Sequence, residues 1–164
     1  PLRLKMNGWW GNSAVALSYE GLAWITGAAI VLGGDLPSAP ILIIALLYSV
    51  GAHGIMTLND FKSVEGDLQM GIRSLPAQLG REQAAKVACL FMLLPQLAVI
   101  ALLLHLQLAP YAAAVTMVVV AQCLAMKRLL SDPKELAPWY NATGVSLFVL
   151  GMMSAAVGLG GWFA

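Results

Sequence analysis

The stretch Asn59–Ser74, NDFKSVEGDLQMGIRS, decides how the chain is read. It gathers three carboxylates, Asp60, Glu65 and Asp67, and two cations, Lys62 and Arg73. A long apolar run stands on each side of it, Pro40–Leu58 before and Gln83–Leu104 after. Ionised groups are costly in hydrocarbon, so a charged loop between two such runs marks the water-facing end of two membrane-crossing helices. An acid-rich loop at the mouth of apolar helices also suits a metal-bound anion whose apolar remainder lies in the membrane.

Outward from this loop the same pattern repeats. A bilayer core takes about 20 apolar residues in a helix. Five runs meet that length: 12–32, 40–58, 83–104, 109–126 and 143–163. Of 164 residues, 60% are hydrophobic and 10% charged, where soluble domains carry about 25% charged residues. The fold class expected is all-α, a polytopic transmembrane bundle of five spans forming a single domain over residues 1–164. A net charge of +1 excludes a nucleic-acid binder built on a basic surface. Pro1, with no start or signal pattern around it, reads as a cut end of a larger protein. Cys89 and Cys123 fall inside apolar runs and read as small buried side chains.

The basic residues set the orientation. Arg3 and Lys5 precede the first run; Lys62, Arg73, Arg81 and Lys86 surround the second connection; Lys127, Arg128 and Lys134 sit in the fourth. With five spans these regions share one side, and that side holds all nine Lys and Arg. The positive-inside rule makes it cytoplasmic. Trp9, Trp10, Trp139 and Tyr140 are expected at that interface, with Trp162 and Phe163 at the opposite one. Pro95 interrupts the third run, and Gln96 is placed to satisfy the carbonyl it frees.

Within the loop, Asp60, Ser63, Val64 and Asp67 share one face if the second helix continues past Asn59. Seven residues rise about 10 Å, too far for both carboxylates to grip one ion with bonds of about 2 Å. Either they hold separate ions, or Gly66 breaks the helix and swings Glu65 and Asp67 inward. Magnesium commonly takes one or two carboxylates and completes its shell with water and phosphate oxygens. The expected metal set is therefore Asp60, Glu65 and Asp67 with Mg2+. Arg3, Lys5, Lys62 and Arg73 are candidates for the remaining phosphate charge. The plain alternative is a mixed-sign loop that only solvates the interface.

Three stretches carry a family likeness: PLRLKMNGWWGN at the start, YSVGAHGIMTLNDFKSVEGD over Tyr48–Asp67, and GIRSLPAQLG over Gly71–Gly80. Here the sequence resembles the UbiA-type membrane prenyltransferase superfamily, in its chlorophyll and bacteriochlorophyll synthase branch. The resemblance implies a nine-helix bundle of which this chain supplies helices five to nine. Asp60 and Asp67 would then be catalytic, holding a prenyl diphosphate through magnesium. The first acidic motif of the family, NDxxD-like, has no counterpart here. The resemblance thus implies that activity needs a missing N-terminal half of the same protein. The implied reaction esterifies the propionate of (bacterio)chlorophyllide with a geranylgeranyl or phytyl group. Its setting would be a bacterial inner or photosynthetic intracytoplasmic membrane, with the active-site loops on the cytoplasmic side and lipid around the helices.

Relatives that prenylate aromatic rings often carry Asp where Ser63 stands, so Ser63 reads as an adaptation to an anionic acceptor. Asn12, Glu20, His53 and Ser63 are the candidate acceptor pocket. Glu20 lies well inside the first run, where an ionisable group is a functional hypothesis by default; its alternative is a protonated carboxyl bonded to a neighbouring helix. His53 either meets the macrocycle or is a packed, hydrogen-bonded histidine. His105 reads as solvated at the far interface, Gln122 as an interhelical bond, Asn141 as a helix N-cap, and Met117, Met126, Met152 and Met153 as apolar filler. Two other functions stay open: a UbiA-type prenyltransferase with an aromatic acceptor, and a non-catalytic five-span carrier or assembly protein.

Overall fold

The computed structural model describes residues 3–162. Pro1, read above as a cut end, and Phe163, one of the expected interface aromatics, lie outside the described residues. Five helices are long and apolar enough to cross a membrane: Gly8–Val31, Ala39–Lys62, Arg81–His105, Ala109–Leu129 and Pro133–Gly158. The protein is an all-α integral membrane bundle, as composition requires. Two short helices, Val64–Gln69 and Leu75–Leu79, shape the connection between the second and third spans.

Two boundaries differ from the sequence reading. The fifth span starts at Pro133 rather than at Thr143. Asp132 caps it, its carboxylate accepting from Glu135 N at 3.2 Å, and proline suits the first helical position because it lacks the hydrogen a helix start cannot use. Asn141 is therefore no N-cap. It lies inside the helix and donates from Nδ2 to Asn59 Oδ1 at 3.1 Å, tying the fifth span to the second. Tyr140, expected at the interface, is fully buried. Trp139 is half-buried, with the Arg128 guanidinium 4.3 Å from its ring centre. The first span starts at Gly8 because Asn7 Oδ1 accepts from the amides of Trp9 and Trp10.

The second span is the centre of the bundle and packs against the first, third and fifth. Between helices in lipid, close approach of backbones replaces the hydrophobic drive. Gly54 provides it: a Cβ there would stand 2.4 Å from the Ala88 carbonyl oxygen. Ala84, Ala85 and Ala88 of the third span are fully buried. Polar links add specificity. Gln96 donates to Met92 O at 2.8 Å and to Gln122 Oε1 at 2.6 Å, and Gln122 donates to Gly144 O at 3.1 Å. This joins the third, fourth and fifth spans, as expected of Gln122. The carbonyl that Pro95 frees is that of Phe91, so Gln96 serves the neighbouring carbonyl instead. Cys89 is buried, but Cys123 is exposed on the outer face of the fourth span, against expectation. Met126 is buried, while Met117 and Met153 are exposed apolar surface. His105 ends the third span, exposed at the opposite end from the acidic loop.

Three segments meet at the acidic end. Asn7 and Arg73 form a backbone bridge, and Lys62 and Lys134 line one small hollow. The basic segments thus gather at one end of the bundle, as five spans require.

Candidate functional site

The α-helix of the second span ends at Asn59, and a 3-10 turn, Asp60–Lys62, follows. Ser63 leaves helical geometry (φ −112°, ψ 5°) and redirects the chain into Val64–Gln69. The break therefore falls at Ser63. Gly66, the expected breaking point, lies inside the short helix. This bend brings Asp60 and Asp67 to the same hollow, of about 570 Å³, between the loop and the first half of the first span. Asp67 is buried and Asp60 half-buried. Ser63 Oγ lies 3.1 Å from Asp67 Oδ2 and 3.2 Å from the Asp60 carbonyl oxygen, so its one proton serves either.

Backbone bonds hold the lip in place. Gly8 N donates to Arg73 O at 2.7 Å, and Arg73 N donates to Met6 O at 3.2 Å. A Cβ at Gly8 would stand 2.6 Å from Leu75 N, so only glycine lets the first span close on the loop here. Deeper in, Ala14, Val15 and Tyr19 line the same hollow. It runs from a carboxylate lip to an apolar flank.

The other expected site residues divide. Lys5, Asn12 and Ser63 line the hollow with Asp60 and Asp67. Glu65 does not: it is exposed and ion-paired to Arg81. The Arg81 guanidinium holds its carboxyl below the usual range. Lys62 turns to the separate hollow it shares with Lys134. Arg73 lines a further hollow beside Leu68 and Gln78, and Arg3 is exposed before the first span. Glu20 is half-buried in a π-helical turn, Leu17–Leu22. His53 is stacked against Phe91 and Trp9, with ring centres 4.3 and 5.9 Å away, and its Nε2 is 3.3 Å from Trp9 O. His53 is thus packed and hydrogen-bonded, and it also lines a small hollow with Ser13, Leu17 and Phe91.

Sequence reading missed Tyr19 and the role of Asn12, whose Nδ2 donates to Asp60 Oδ2 at 3.1 Å. The N-G-W-W start was a legible capping signal. The pairing with Asp60 had no local signal.

Neither Asp60 nor Asp67 has an ion pair to a basic side chain among the described residues. Nor do three Asp, Glu, His or Cys side chains converge there as a metal-binding group. Two hard carboxylates in one hollow suit a divalent cation that completes its shell with oxygens from elsewhere.

The pattern of the UbiA prenyltransferase family matches residues 1–150, and the chain belongs to that family. Within it, the chain is 56% identical over 161 residues to the bacteriochlorophyll synthase 33 kDa chain of Cereibacter sphaeroides, covering 98% of this chain and 53% of that one. It is 50% identical over 164 residues to the protein of the same name from Rhodobacter capsulatus, covering 99% and 54%. It is 39% identical over 158 residues to the chloroplastic chlorophyll synthase of Avena sativa, covering 96% and 41%. The chain spans about half the length of the relatives it matches. No solved structure matches it.

Proposed function

We propose that this chain is part of an enzyme transferring a geranylgeranyl or phytyl group from its diphosphate to the propionate of bacteriochlorophyllide or chlorophyllide. The observation that carries this reading is the single hollow in which Asp60, Asp67 and Lys5 form one end and apolar side chains the flank. The names of the relatives supply the acceptor class. In the reaction the allylic C–O bond breaks with its electron pair going to diphosphate, and a propionate oxygen bonds to the allylic carbon. Carboxylates of this kind ionise near pH 4–5, roughly, so the acceptor needs no general base at neutral pH.

Asp60 and Asp67 would hold magnesium, which when bound neutralises charge on the leaving diphosphate. Lys5 takes phosphate charge as a flexible point cation. The flank of Ala14 and Val15 excludes water that would otherwise capture the allylic cation. Ser63 keeps the lip one carboxylate poorer than in relatives with Asp there, which lowers repulsion toward an anionic acceptor. The remaining part of the site belongs to the portion of the protein beyond this chain. The acidic end faces the cytoplasm of a bacterial inner or intracytoplasmic photosynthetic membrane, which the gathering of basic segments supports.

The test is prenyl transfer to bacteriochlorophyllide by the full-length protein. Asp60→Asn and Asp67→Asn should each lower the rate by about 100-fold or more, the scale of removing one preorganised charge-stabilising group. An Asp67→Asn protein with the parent rate would overturn the reading. Ser63→Asp should raise the acceptor KM and leave that for prenyl diphosphate in place; an unmoved acceptor KM removes the role given to Ser63.

A further inference from the structure

We infer that Asn12, on the first span, is the positioning residue that aims Asp60 for the metal; this rests on the prenyl-transfer reading of the same hollow. Asn12 is 9% exposed. Its Nδ2 is 3.1 Å from Asp60 Oδ2 and 3.4 Å from Thr57 Oγ1. Thr57 Oγ1 spends its own proton on His53 O, at 2.9 Å. Thr57 can therefore only accept from Asn12, and an ionised Asp60 also only accepts. Those two acceptors fix which way the amide points: the nitrogen faces both, and both of its hydrogens are in use. Asn12 Oδ1 and Asp60 Oδ1 are then left without a hydrogen bond from the described residues.

The chemistry of the donor matters. Asp60 sits on a 3-10 turn just past a helix end, where the backbone alone does little to orient a carboxylate. A lysine or arginine in the place of Asn12 would orient it but also neutralise it, and weaken its attraction for a cation. A neutral amide fixes one oxygen and leaves the charge intact. Outer partners of metal ligands act in this way, and their loss commonly costs about 10–100-fold in metal affinity. The bond also makes the first span a participant in the metal site, although that span supplies no carboxylate to the hollow.

The experiment is a Mn2+ titration of the full-length protein in detergent with inorganic diphosphate, read by electron paramagnetic resonance. Asn12→Leu keeps the side-chain size and removes both donors; it should weaken Mn2+ binding about 10–100-fold. Thr57→Val removes the two bonds of the Thr57 hydroxyl, to Asn12 and to His53 O, but leaves the one from Asn12 to Asp60, and should bind as the parent does. If Asn12→Leu does not fold, Asn12→Ser, whose hydroxyl is too short to reach Asp60, should show the same loss. Parent-like binding by a folded Asn12 variant overturns the inference, and so does an equal loss in Thr57→Val. A parent protein that binds no Mn2+ removes the functional reading beneath it, whereas binding that ignores Asn12 removes only the positioning role.

Discussion

The first and second spans have the same length, 24 residues, and opposite characters. In its most apolar stretch the second is 61% buried, the first 17%. The second is surrounded by other spans, with Gly51, Ala52 and Gly54 of its inner half buried. The first leans mainly on the second and presents Leu22, Ile30 and Val31 outward. Yet the hollow lies between these two. Asp60 comes from the rigid partner and Asn12 from the peripheral one. The tightly packed helix fixes where Asp60 stands, and the less enclosed wall opposite supplies the hydrogen bond that orients its carboxylate. The π-helical turn at Leu17–Leu22 falls in that looser wall, as such turns often do at functional sites.

Substitutions can break or sharpen this contrast. The largest effect belongs to Gly54→Leu, which drives a side chain into the Ala88 carbonyl and should cost about 3 kcal/mol or more, seen as lost folded protein in detergent. Gln96→Leu should cost about 1 kcal/mol, the scale of one interhelical hydrogen bond in a membrane protein, measured by reversible unfolding in bicelles. Gly27→Leu on the first span meets nothing within 4 Å and should stay within about 0.5 kcal/mol of the parent. A large loss at Gly27 would mean that the first span is as enclosed as the second.

The smallest effect concerns Glu65, which stands outside the hollow. Glu65→Gln should leave prenyl transfer within about 2-fold, as for an exposed ion pair. Its carboxyl is held low in the folded protein, so whatever the Arg81 pair adds is present above the ordinary carboxylate pKa and fades as pH falls through the lowered one. The melting difference between parent and Glu65→Gln should therefore shrink as pH falls below the ordinary carboxylate range.

The limits of sequence reading follow from particular residues. Apolar runs located all five spans, because membrane insertion responds to local hydrophobicity. The fifth start differs because Lys134, Glu135, Pro138 and Asn141 interrupt the apolar run and hide a helix that Asp132 and Pro133 announce. Glu65 and Lys62 carried the right charges in the right loop but turn away from the hollow. Lys5, by contrast, lies far away in sequence and faces it.

Amino-acid order alone determined a helical membrane protein with its basic residues gathered at one end, and a motif shared with a prenyltransferase family. Those properties sum over neighbouring residues. Only the tertiary structure decided which charges meet, because that depends on where Ser63 bends the chain and on a bond between Asn12 and Asp60 across 48 positions. No local pattern encodes a contact between two helices whose approach is set by the packing of their backbones.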